Sequence, residues 1–92
     1  MTLDELYRII CDRRDNPKTG SYTVSLLKAG EDEILKKIGE ETIEVIIAAK
    51  GQGEQRLIEE TADLFYHLLV LLAQKNMTLD QVMKELAIRH SK

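Results

Sequence analysis

The sequence has one cysteine, one proline and no surplus of positive charge. With Cys11 alone, no disulfide can close within the chain, and a reducing compartment suits it. Thirteen lysines and arginines stand against sixteen acids, a formal net charge of −3 with histidine neutral, so there is no basic footprint for nucleic acid. The start, Met1 to Leu6, is acidic and lacks the basic opening and apolar run of a signal peptide. The longest apolar run, Leu68 to Ala73, is far short of the roughly 20 residues a membrane helix needs. A soluble, cytoplasmic protein is expected, with no membrane or nucleic-acid partner. Low-complexity tracts, long linkers, internal repeats and alternating strand patterns are also missing, so one domain is expected over residues 1–92. What is present, 43% apolar and 32% charged residues, argues against disorder.

The pattern predicts an all-α small helical bundle of four main helices and one short one. Thr2 caps the first helix, with Glu5 three residues on as in a capping box. Leu3, Leu6, Tyr7 and Ile10 form its apolar face. It ends near Asp15-Asn16-Pro17, because a residue before proline avoids the helical region. After a polar loop, a short helix over Thr23–Ala29 stops at Gly30. Long helices follow from about Asp32 to Lys50, ending at Gly51, and from about Glu54 to Lys75. Thr78 and Gln81 form a second capping box for a last helix reaching about His90.

The two long helices are apolar on more than one side. Ile34, Ile38, Val45 and Ala49 form one stripe, and Ile43 and Ile47 lie nearly opposite. The helix over 54–75 is apolar almost all round from Ala62 to Ala73, the mark of a buried helix. A chain of this length cannot easily bury both. A homodimer is therefore expected, the alternative being cover by the short and last helices of the same chain.

Glu41/Glu44 and Glu60/Asp63 each have i, i+3 spacing, which puts two carboxylates on one helix face. A hairpin turning at Ala48–Gly53 would bring the two pairs face to face. Such acids repel unless cations neutralise them, and all-oxygen ligands suit Mg²⁺, or Mn²⁺, and phosphate chemistry. Glu41 falls inside the apolar stripe, where a carboxylate is costly unless paired, protonated or bound to metal. Glu44 and Lys37 lie at the edge of that stripe. Glu5, Glu31, Glu33, Glu54, Glu59 and Glu85 read as solvated charges, and Glu40 projects to the polar side. Glu60, Asp63, His67 and Gln74 line up as a narrow polar stripe that either faces water or meets Glu41 and Glu44. His67 is either a partner to the Asp63 carboxylate or, the preferred reading, a histidine bonded to a backbone carbonyl. The chain lacks the paired Glu-x-x-His motif of di-iron bundles, so Mg²⁺ is favoured over iron.

Glu41-x-x-Glu44 followed by Glu60-x-x-Asp63 resembles the MazG-like, all-α nucleoside triphosphate pyrophosphohydrolases. Within them, several segments are similar to the phosphoribosyl-ATP pyrophosphohydrolases of histidine biosynthesis. They are Gly20–Thr23 with Leu26-Leu27 and Gly30, then Ile34–Glu41, Glu44–Lys50 and Glu60–Leu72. The resemblance covers nearly the whole chain. It implies a dimerising helical bundle that hydrolyses phosphoribosyl-ATP to phosphoribosyl-AMP and pyrophosphate, with Glu41, Glu44, Glu60 and Asp63 as metal ligands. Some members are fused to the cyclohydrolase of the next step, an activity expected here from another polypeptide. Either Glu41 or Glu44 is expected to take the proton of the attacking water. Lys37, one turn before Glu41, is the foremost phosphate contact, and Lys36 is less well aimed. Arg13, Arg14 and Lys18 flank the polar loop and are candidates to close over the phosphates, with plain surface charge as the alternative. Ser21, Tyr22 and Thr23 match a segment near the substrate, and also suit a helix N-cap.

Two other functions compete. A house-cleaning nucleotide pyrophosphatase of the same superfamily is disfavoured by Ser21-Tyr22-Thr23 and by Lys36–Glu41. A non-catalytic helical dimerisation module would have no use for Glu41 in an apolar stripe and would bind no metal.

Overall fold

Among residues 1–91, which the computed structural model describes, there are five helices and no strand. They are α1 (Leu3–Asp15), α2 (Tyr22–Ala29), α3 (Glu31–Gly51), α4 (Glu54–Gln74) and α5 (Leu79–Arg89). None is long and apolar enough to cross a membrane. The predicted ends hold to within a residue or so because the signals are local. Thr2 Oγ1 accepts the Glu5 N–H at 3.1 Å, and Ser21 Oγ accepts that of Val24 at 3.2 Å. At α5 both halves of the capping box form: Gln81 N–H donates to Thr78 Oγ1 (3.2 Å), and Thr78 N–H donates to Gln81 Oε1 (2.8 Å).

Gly30 alone joins α2 to α3. Its φ of 99° and ψ of −177° lie where a side chain is strained, so glycine makes the turn possible in one residue. At the end of α4, Asn76 adopts φ 57°. The Asn76 N–H bonds the Ala73 carbonyl (3.1 Å), and the Met77 N–H bonds that of Leu72 (2.9 Å), the paired bonds of a Schellman ending. Two side chains of α1 lock this corner. Tyr7 donates its hydroxyl to the Met77 carbonyl. Burial, and then the neighbouring Cys11 thiol, push that phenol up to about 12. Arg14 Nη1 donates to the Ala73 carbonyl at 2.8 Å and to Asn76 Oδ1 at 3.3 Å.

The core is small: Ile10 of α1, Leu26 of α2, Ile34 of α3, and Leu69, Val70 and Ala73 of α4. Fully burying an aliphatic side chain of this size is worth about 1.5–3 kcal/mol. Much more apolar surface stays uncovered. Ile43, Ile46 and Ile47 of α3 are exposed, as are Ile58, Phe65 and Leu68 of α4 and Val82, Met83 and Leu86 of α5. The apolar stripe of α3 also differs from the sequence reading at one point. Ala49 is exposed, while Ala48, which flanks Glu41 on the same wheel, is buried.

Candidate active site

α3 and α4 form the most extensive contact in the fold and are joined by Gln52 and Gly53 alone. A turn there folds α4 back along α3. Glu41 lies eleven residues before Gln52, and Glu60 and Asp63 lie eight and eleven after it, so the hairpin sets them side by side. Oxygens of Glu41, Glu60 and Asp63 come within 4.8 Å of one another. Together with Glu40, Glu44 and Arg56 they line a cavity of about 470 Å³. Glu44 shares the wall but stands outside the trio.

Asp63 and Glu40 are exposed, but the acids facing them are not all solvated. Glu60 is buried, at 6% exposure. Glu41 is half-buried, and its carboxyl is held above the usual range. Desolvation contributes most, followed by hydrogen bonding to Glu60 and repulsion from Asp63 and Glu60, with His67 pulling the other way. Among the described residues the one cation in the wall is Arg56, whose Nη2 meets Glu60 Oε1 at 2.5 Å and whose Nη1 meets Glu59 Oε1 at 2.8 Å. The sequence reading missed both Arg56 and the lining role of Glu40. The available signal was the i, i+4 spacing of Arg56 and Glu60, which is commonplace on helices.

His67 is buried, at 4% exposure, so its end of the polar stripe faces protein and not water. Its Nδ1 lies 2.7 Å from the Asp63 backbone carbonyl, which can only accept, so Nδ1 carries the proton. In the neutral ring Nε2 is then an acceptor, and the Tyr22 hydroxyl donates to it at 3.1 Å. With both nitrogens engaged, His67 acts as a brace. The same brace ties down the 21–23 segment. Thr23 Oγ1 bonds the Tyr66 hydroxyl, and the Tyr22 and Tyr66 rings stack with centroids 6.1 Å apart. The Tyr22 phenol is raised by burial, then by the field of Glu41. Gln74, two turns past His67, lies away from the cavity.

The remaining candidates sit elsewhere. Lys37 is half-buried one turn before Glu41, and Lys36 is exposed; neither lines the cavity or forms an ion pair among the described residues. Arg13 pairs with Asp12 at 3.1 Å. Arg14 is committed to Asp15 and to the α4 corner.

Fold and site together define an all-α protein with an acidic, oxygen-lined cleft between the arms of a helical hairpin, fit for a hard divalent cation. The family model described as phosphoribosyl-ATP pyrophosphohydrolase matches residues 3–90, and the chain belongs to that family. The chain is 56% identical over 90 residues to the phosphoribosyl-ATP pyrophosphatase of Listeria welshimeri, covering 98% of this chain and 86% of the relative. It is 52% identical over 90 residues to that of Lactiplantibacillus plantarum, covering 98% and 85%. A third relative, the histidine biosynthesis bifunctional protein HisIE of Thermosynechococcus vestitus, is 50% identical over 88 residues, which are 96% of this chain and 41% of the relative.

Proposed function

We propose that this chain hydrolyses phosphoribosyl-ATP to phosphoribosyl-AMP and pyrophosphate in histidine biosynthesis, in the cytoplasm. Membership of the family supports this reading. The observation that carries it is the convergence of Glu41, Glu60 and Asp63 in one cavity. The donors fit Mg²⁺, or Mn²⁺ in its place: all are oxygens, one is buried, and one has its charged form disfavoured until a cation arrives. Bound there, Mg²⁺ supplies neutralisation of phosphate charge and a lowered pKa for water.

The chain's own residues do the rest. Glu41, Glu60 and Asp63 hold the cation. Glu44, on the same wall but outside the trio, accepts the proton of the water that attacks the α-phosphorus. The bond to the bridging oxygen then breaks and pyrophosphate leaves. Tyr22, braced on His67, and Thr23, on Tyr66, fix the flank of the cleft. A pyrophosphate-release assay on phosphoribosyl-ATP, ATP and dUTP, with and without Mg²⁺, tests the reading. Preference for dUTP would favour a house-cleaning role, and no metal-dependent release would leave a dimerisation module.

Lys37 is proposed to contact phosphate. Lys37→Ala is expected to impair turnover while leaving Mg²⁺ affinity unchanged, as judged by calorimetry beside steady-state kinetics. Full activity at both low and saturating substrate would remove that role.

We also infer a homodimer that covers Ile43, Ile46 and Ile47 of α3 and Phe65 and Leu68 of α4, all of them large apolar side chains exposed in the lone chain. Sedimentation at micromolar concentration is expected to show a species heavier than the 10.5 kDa chain. A well-folded monomer under those conditions would contradict it.

A further inference from the structure

Behind Tyr22 lies a second hollow, of about 550 Å³, whose chemistry is the reverse of the acidic cleft. Its walls include Lys18, Thr19, Ser21, Ser25 and Lys28, and no carboxylate. Neither lysine forms an ion pair among the described residues, whereas Arg13 and Arg14 nearby are both paired. Tyr22 lines this hollow and not the cleft, but it is tied to the helix that carries Glu60 and Asp63. Its ring lines the hollow, while its hydroxyl is fixed on His67 and lies in the field of Glu41 and Asp63. A ligand that extends from the cleft past Tyr22 would enter the hollow.

Resting on the function proposed above, we infer that Lys18 and Lys28 form a subsite for the phosphomonoester of the substrate's phosphoribosyl group. The substrate is anionic at two ends. Its triphosphate needs the cation held in the cleft. The remote monophosphate cannot lie among the carboxylates and needs positive charge of its own. Two uncommitted ammonium groups on a carboxylate-free wall meet that need, with the Thr19 hydroxyl beside them. Such a subsite would make the chain prefer phosphoribosyl-ATP to ATP, because only the former places a charge there.

The test is steady-state pyrophosphate release by the parent, by the Lys18→Ala/Lys28→Ala double variant and by Lys28→Arg. Both side chains are exposed, so the variants are expected to fold. The double variant should raise KM for phosphoribosyl-ATP about tenfold or more, the scale of a lost charge-assisted contact. Its kcat should stay within about twofold, the sign of binding uniform between ground and transition states. Ribose 5-phosphate, which carries only the remote end, should inhibit the parent and not the double variant, and Lys28→Arg should retain the parent's KM. An unchanged KM, or equal inhibition of parent and variant, overturns the subsite. If the parent releases no pyrophosphate from phosphoribosyl-ATP, the proposed activity fails instead. Binding of ribose 5-phosphate, followed by ³¹P NMR, then decides the subsite separately: binding to the parent alone upholds it, and no binding or equal binding removes it.

Discussion

Replacing Glu41 with glutamine is expected to abolish Mg²⁺-dependent pyrophosphate release while leaving the metal-free protein as stable as the parent, or more so. The two effects share one cause. With metal, Glu41 supplies a charged oxygen that an amide replaces poorly. Without metal, it is a half-buried carboxylate within 4.8 Å of two others. Partial burial and repulsion raise its pKa, so its ionised form opposes folding. A carboxyl whose pKa is raised in the fold binds its proton more tightly there than in the unfolded chain. The penalty is therefore absent below the ordinary carboxylate range and grows as pH rises through the raised pKa. Removing the charge should therefore stabilise the metal-free fold, by less than full burial would give because solvent screens part of the effect. Melts in EDTA across that pH window should show the variant's advantage widening with pH. If the variant melts clearly lower in EDTA, or gains as much from Mg²⁺ as the parent, Glu41 is not a ligand.

Arg56→Ala should move metal-free stability the other way. Among the described residues the guanidinium is the only cation lining the acidic cleft, and it neutralises buried Glu60 at 2.5 Å. Without it, three converging carboxylates have no internal counter-charge, and a buried charge left unpaired is destabilising. The variant is expected to melt several degrees below the parent in EDTA. It should also bind Mg²⁺ about tenfold more tightly, because a competing unit charge at contact distance has gone from a partly solvated site. Added Mg²⁺ should therefore recover most of the lost melting temperature. Calorimetric titration of both proteins measures the affinity, and unchanged affinity would show that Arg56 leaves the cation's position clear.

What the sequence made legible follows from how far each signal reaches. Helix ends depend on a residue and its near neighbours, and Thr2, Gly30, Thr78 and Gln81 all act where the pattern predicts. The meeting of Glu41 with Glu60 and Asp63 was legible because two i, i+3 pairs flank one turn, and a hairpin has little freedom there. Finer rotation was not legible. The wheel set Glu41 inside the apolar stripe and Glu44 at its edge, but it also put Ala49 in that stripe, where the structure leaves it exposed. Contacts between distant residues were also hidden. Arg14 reaches Ala73 across 59 residues and Tyr22 reaches His67 across 45, and no local pattern announces either. Arg14 thus turns toward a helix end and is not free to meet a phosphate.

Helix α5 carries a consequence of its own. Every residue of it past Leu79 is exposed. Its eleven residues rely on the capping box and on the Asp80–Lys84 and Glu85–Arg89 pairs, each at 3.3 Å. A free helix shorter than about 12–15 residues is marginal in water. In the lone chain α5 is thus the element set to open first, with its amides exchanging hydrogen for deuterium ahead of those around Val70. If a second copy covers Val82, Met83 and Leu86, exchange in α5 should slow as protein concentration rises, while exchange around Val70 should change far less. Deuterium uptake by this segment then becomes a gauge of assembly that needs neither substrate nor metal.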